Sequence, residues 1–264
     1  MNQDQIKMHL KSIRPVKADF TVILSGKKSN KVNGLYKPES REIILHNKNF
    51  KTEDELLYTA IHEYAHHIQF TTAAAPISVR THTTSFWSIL HTLLFEAESK
   101  GLYRNPFEGN ADFRALTAEI KEKVIAVSGG LMKELGRLLI KAHELCEKHG
   151  ASFTDYVDRT LGLPRVSAQA VMKAQTYDLD PRLGSENMKS LAAIRDETQR
   201  GRAQEALISG KTPDMVKASL AAKKKPAGKR QLLIEERARI ERTIERLKAR
   251  MKLVDKKLEE LGEE

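Results

Sequence analysis

The chain has 264 residues, of which 30 % are charged, 40 % hydrophobic and only 6 % aromatic, a balance that suits a helical protein larger than one typical domain. No apolar run approaches the ~20 residues needed to span a bilayer, and Cys146, the only cysteine, excludes an internal disulfide and a cysteine-based zinc module. A formal net charge of +10 favours polyanionic partners, nucleic acid before a membrane surface.

The N-terminus lacks the layout of a signal peptide, so the expected location is cytoplasmic. Residues 6–16 predict a short basic helix. Residues 20–24 then read as a strand that ends at Ser25 and Gly26, and Asn33-Gly34 is a strong turn signal. Residues 34–36 and 41–46 read as two further strands around a turn at Pro38, Glu39 and Ser40. The expectation is a small antiparallel sheet. Its last strand would lie near the next helix and could pair with an extended peptide by edge addition.

That helix carries H-E-x-x-H as His62, Glu63 and His66. Residues four apart stand one turn above each other on a helix, so both rings can aim a nitrogen at one ion. Glu63, about 100° round from His62, falls beside the ion, where a carboxylate can take a proton from water. The pattern needs a helix, and the flanks supply one. Thr52 followed by Glu55 predicts a capping box, and Leu56, Leu57, Ala60, Ile61, Tyr64, Ala65 and Ile68 form an apolar stripe of helical period. Two histidines on a solvated face are the bland alternative. The helix is expected to end around Phe70, followed by a loop over residues 71–81 that contains Pro76. Phe86, Trp87, Leu90, Leu93 and Leu94 place a second helix from about Thr83, with His82 at its entrance.

H-E-x-x-H, a linker of this length and then His82 followed by Phe86-Trp87 resemble the SprT-like and related minigluzincin or WLM-type zinc metallopeptidases. The strands before the motif, Gly34-x-Tyr36 and Arg41-x-Ile43-x-Leu45, are similar to the same family, so the likeness covers roughly residues 18–100. It implies that His62, His66 and His82 hold Zn2+. It also implies that Glu63 is the general base in peptide-bond hydrolysis by metal-activated water, with a protein or peptide as substrate. The chain departs from the family in lacking the cysteine ribbon that often follows, and in having Thr83 where a glycine is usual. A rival third ligand is open: Glu108-x-x-Ala111-Asp112 is similar to the third-ligand helix of gluzincins and of ImmA/IrrE-type regulators, with Glu108 on the metal and Asp112 orienting a ligand histidine. His91 and Glu96 are further candidates. His67 and His46 could approach the site, but rings solvated or satisfied in the core are the simpler expectation.

Residues 113–148 predict a helical hairpin broken at Ser128, Gly129 and Gly130, with Leu131, Leu135, Leu138, Leu139 and Ala142 as its apolar face. Residues 152–177 resemble a helix-turn-helix. Gly162 would form the turn and Ser167 the N-cap, with Val157, Leu161, Ala168 and Val171 packing the helices together. Arg165, Ser167, Gln169 and Lys173 would then face DNA. A plain helical hairpin is the alternative. Short helices are expected over residues 185–220, one starting at Thr212-Pro213, and residues 223–230 are a basic linker. In the tail, Leu233, Ile240, Leu247, Val254 and Leu261 recur every seven residues. Ile244, Met251 and Leu258 fill the complementary position, with Arg237 the polar exception. This predicts a coiled coil and, most simply, a homodimer; a single helix docked on the body is the alternative.

The expected fold is α+β. It comprises a metallopeptidase-like domain (1–116), a helical region (117–222), the linker (223–230) and a coiled-coil tail (231–264). The expected activity is zinc-dependent peptide hydrolysis, targeted to DNA or DNA-bound proteins; the competing reading is a DNA-binding regulator whose zincin fold is structural.

Overall fold

The computed structural model describes residues 1–73, 77, 81–222 and 229–262. Pro76 of the predicted loop and residues 223–228 of the predicted linker lie outside the described residues. The protein is mostly helical with one three-stranded sheet, an α+β fold. It divides into two compact units, one of residues 1–89 and 221–264, the other of residues 90–220.

The first unit opens with α1 (Gln3–Ile13), where the Asn2 side chain caps the Gln5 amide and Gln5 reciprocates. The strands follow as β1 (Thr21–Leu24), β2 (Gly34–Lys37) and β3 (Glu42–Leu45). The antiparallel expectation holds only for β2 and β3, paired Gly34 to Leu45 and Lys37 to Glu42. β1 runs parallel to β3, Thr21 opposite Glu42, so the sheet is mixed and its order is β1-β3-β2. The reason is geometric. The long connection through residues 25–33 carries the chain past the place a hairpin partner would take, and β3 enters between its two predecessors. β3 is therefore central and has no free edge; the outer strands are β1 and β2.

Helix α2 (Glu53–Thr72) packs on this sheet. The Thr52 hydroxyl accepts the Glu55 amide as predicted, but the Glu55 carboxylate reaches one residue further back, to the Lys51 amide. Leu57, Ala60, Ile61, Tyr64 and Ala65 are buried together with Ile6, Leu10, Phe20, Ile43 and Leu45. Fully burying one such large side chain contributes about 1.5–3 kcal/mol, so the core holds α2 firmly against β2 and β3. The next helix, α3 (Thr84–Ser99), begins one residue after the predicted start.

The second unit contains α4 (Pro106–Gly109), α5 (Ala111–Ile120) and α6 (Val127–Lys148). The predicted break at residues 128–130 is absent. A π-helical turn, Lys121–Ala126, joins α5 to α6 and the helix runs on through both glycines. Glycine serves close approach here, because a Cβ on Gly129 would lie 2.1 Å from the Pro181 carbonyl oxygen. After α7 (Phe153–Asp155) and its π-helical extension Tyr156–Thr160, the chain turns at Gly162, whose φ is 63°, into α8 (Arg165–Thr176). Pro164 takes the N-cap position, so Ser167 is not the cap predicted for it; it lies within the first turn. Val157, Ala168 and Val171 are buried as expected, whereas Leu161 is exposed. Helices α9 (Gly184–Ala192), α10 (Glu197–Ile208) and α11 (Pro213–Ala222) complete the unit around Met132, Leu139, Met188, Leu191 and Ala203. The tail is one helix, α12 (Lys229–Gly262).

α6 and α8 meet where a Cβ on Gly136 would stand 2.5 Å from the Val171 carbonyl oxygen, while Gly130 on the same helix faces open space. Gly136→Ala is expected to lower the unfolding free energy by about 1–3 kcal/mol through overpacking. Gly130→Ala is expected to raise it by roughly 0.5–1 kcal/mol, because alanine is the better helix former. Urea unfolding of the two variants checks both signs.

Candidate metal centre

His62 and His66 project from one face of α2, and His82 reaches them from the segment just before α3. The Nε2 atom of His82 lies 3.1 Å from Nε2 of His62 and 3.1 Å from Nε2 of His66. All three ligand nitrogens fall within 4.8 Å of one another, close enough to bind a metal ion. Hydrogen bonding alone is a poor account of this cluster, since the His82 Nε2 has only one proton or one lone pair to share between two neighbours. A tetrahedral ion with metal–nitrogen bonds of ~2.0–2.1 Å would set such nitrogens about 3.3 Å apart, close to the observed spacing. The residues present therefore fit a metal ion.

The surroundings keep the His62 and His66 rings neutral, the form in which imidazole ligates. Phe86, fully buried in the first turn of α3, stacks on His66 at 4.2 Å between centroids and meets His62 and His82 edge-on at 4.9 and 4.6 Å. Burial lowers the His62 pKa to about 4, with His82 adding to it. Burial lowers that of His66 to about 4 as well, reinforced by His62 and His82.

A residue that the motif reading missed holds the two halves of the cluster together. Gln69, one turn beyond His66 on α2, donates its amide to the Thr81 carbonyl at 2.9 Å and to the Thr83 hydroxyl at 3.3 Å. These two residues bracket His82, so Gln69 pins the segment that carries the third ring. The Gln69 Oε1 and the His66 Nδ1 are both buried without a hydrogen-bond partner. The amide acts on His66 electrostatically, favouring its charged form, without closing a bond of normal geometry. A glutamine three residues after the second histidine was the available signal, because i and i+3 share a helix face.

Glu63 is buried beside the cluster, and loss of solvent raises its pKa to about 7, opposed by the Tyr36 backbone amide. Gly34 makes room for it: a Cβ there would stand 3.0 Å from the Glu63 Cγ and Oε1 and 2.8 Å from the Thr59 methyl. Tyr36 also grips α2 one turn further on. Its hydroxyl lies 3.0 Å from His67 Nδ1, while His67 Nε2 meets the Ala18 carbonyl at 2.9 Å. A carbonyl only accepts, so His67 carries its proton on Nε2 and takes the tyrosine proton on Nδ1. His67 is thus a satisfied core ring, and His46, bonded to the Ser25 hydroxyl at 2.9 Å, is likewise occupied. The three cluster histidines, Glu63, Gly34, Leu35, Tyr36, Tyr58 and Phe70 line one cleft of about 570 Å³.

The rival ligands lie elsewhere along the chain. Glu108 is exposed on α4, and its main-chain carbonyl accepts from Arg114. His91 contacts the Thr212 hydroxyl at 2.9 Å, Glu96 lies within α3, and Asp112 opens α5. Among the described residues, the group that could hold a metal is His62, His66 and His82. Metal content by mass spectrometry should accordingly be about one ion per chain for the parent and for Glu108→Ala, and should collapse for His82→Ala. Gln69→Ala should retain a site weakened by roughly 10–100-fold against a competing chelator, the usual effect of losing an outer partner. No family model matches the chain, and no curated protein or solved structure matches it either.

Proposed function

We propose that the protein is a zinc-dependent metallopeptidase of SprT-like type in which His62, His66 and His82 hold the ion and Glu63 is the general base. The observation that carries this reading is the pairing of three converging imidazoles with a buried carboxylate at the position after the first of them. A structural metal site needs no such base and is normally closed by a fourth protein ligand. When bound, zinc supplies Lewis-acid polarisation of the scissile carbonyl and acidifies water at the site.

The chain's own residues do the rest. Glu63, with its proton affinity raised by burial, accepts a proton from the attacking water and passes it to the departing amine. The Tyr36 amide and the space above Gly34 set where that carboxylate stands. β2, an outer strand with Gly34, Leu35 and Tyr36 on the cleft, is the edge along which an extended peptide would lie, in place of the central β3. Leu35, Tyr58 and Phe70 offer apolar surface for its side chains.

Casein or a peptide library incubated with the zinc-loaded protein should be cleaved. Glu63→Gln should lower kcat by 10²-fold or more, in the range expected for loss of a general base, with metal content unchanged. Equal activity in the parent, the variant and the chelated protein would remove the proposal.

A second reading concerns DNA. On α8, Arg165, Gln169 and Lys173 share the exposed side, away from buried Ala168, Val171 and Ala174, whereas Ser167, exposed in the first turn, stands in line with Val171 and Ala174. Asp158 pairs with Arg165 and offsets part of that charge. Duplex binding by the full chain should weaken with salt, and Lys173→Ala should reduce the log–log salt slope by about 1 if that side chain meets a phosphate. This would bring a peptidase to DNA-bound proteins, or serve a regulator whose zincin-like portion is structural. No duplex binding at low salt leaves the peptidase alone.

A further inference from the structure

α12 leaves an apolar seam uncovered. Ile240, Leu247 and Val254 alternate along it with Ile244, Met251 and Leu258, and these six side chains are 44–62 % exposed. Ion pairs within the helix, Arg237 to Glu241 at 2.7 Å and Lys248 to Glu245 at 3.2 Å, support the helix itself but leave the seam bare. A stripe that repeats every 3.5 residues is shaped to receive another helix, with the stripe as core and the flanking charges deciding orientation and register.

Those charges discriminate. In a parallel pair of identical helices each core residue meets its own copy, so Arg237 would face Arg237 of the partner subunit in the core, and Glu236 would face Glu241 of the partner subunit at the flank. Reversing one helix removes both conflicts. With Ile244 opposite Leu247 of the partner subunit, Arg237 falls opposite Val254 of the partner subunit and can lay its aliphatic stem on it while the guanidinium reaches water. In the same register Glu241 faces Lys248 of the partner subunit, and Glu236 faces Lys257 of the partner subunit. The two-fold axis repeats each pair. Sliding by one heptad in either direction sets Glu241 against another acid, either its own copy or the partner's Asp255. One arrangement therefore satisfies both the apolar seam and the charges.

We propose that α12 is an interaction surface for a second copy of this chain, paired antiparallel about a dyad between residues 245 and 246. The proposal is independent of the metal centre.

Sedimentation equilibrium of the full chain should give twice its 29.8 kDa mass. Glu241→Lys and Lys248→Glu should each raise the dimer dissociation constant by roughly tenfold, since each turns two attractive contacts into repulsive ones. The double variant should return to within about threefold of the parent, which loss of the intrahelical pairs alone would not allow. Orientation is read by oxidation. An equimolar mixture of Arg237→Cys and Val254→Cys chains should cross-link, whereas neither variant should do so alone, because equivalent positions would be about 25 Å apart at ~1.5 Å per residue. The native Cys146 is buried. A monomer at high micromolar concentration, an assembly larger than two, a dimer indifferent to the charge reversals, or a disulfide formed by Arg237→Cys alone would each overturn the proposal.

Discussion

Three imidazole nitrogens gathered within 4.8 Å of one another form the constraint on which the first unit depends. Rings gathered this way gain little from each other, and His62 and His66 give up water to be there. The cluster persists because other contacts hold it. Helical spacing stacks His62 over His66, Phe86 walls off one side, and Gln69 ties down the segment on either side of His82. The three rings are close enough to bind a metal ion, and an ion held there would repay the lost hydration.

The same helix carries the groups that give the cage chemical direction. Glu63 and His67 sit one turn apart on α2, and both are held by Tyr36 of β2, one through the backbone amide and the other through the phenol. A single strand residue thereby sets the height and rotation of α2 against the sheet. Gly34, two residues earlier, keeps the space that the Glu63 carboxylate occupies. The short sheet is thus less a platform than a clamp, and its outer strand faces the cleft because β3 has taken the middle position.

The second unit is built on close helix contact instead. Gly129 and Gly136 let α6 approach the Pro181 segment and α8 at distances that any side chain would forbid. Arg200, buried and stacked 3.6 Å over the Tyr177 ring with its head on the Ile194 carbonyl, shows how a charge is accommodated in that core. In the tail, the apolar seam of α12 has no such cover, and its flanking charges fit the antiparallel partner proposed above.

Much of this was legible from residue order, and the rest was not, for identifiable reasons. The α2 helix, its cap, its buried stripe and the shared face of His62 and His66 follow from local periodicity, which one helix enforces alone. The heptad seam of α12 is legible for the same reason. The sheet order was not, because pairing strands across residues 25–33 is a decision of the whole core and nothing local to β1 reports which neighbour it will meet. The two glycines of α6 read as a break because a helix interior gives glycine no local use; only the carbonyl of residue 181 pressing on position 129 explains it. Likewise, sequence could name several third partners for the histidine pair but could not choose among them. That choice depends on a segment beyond α2 being drawn back by Gln69, so that a residue 16 positions after His66 arrives within 3.1 Å of it.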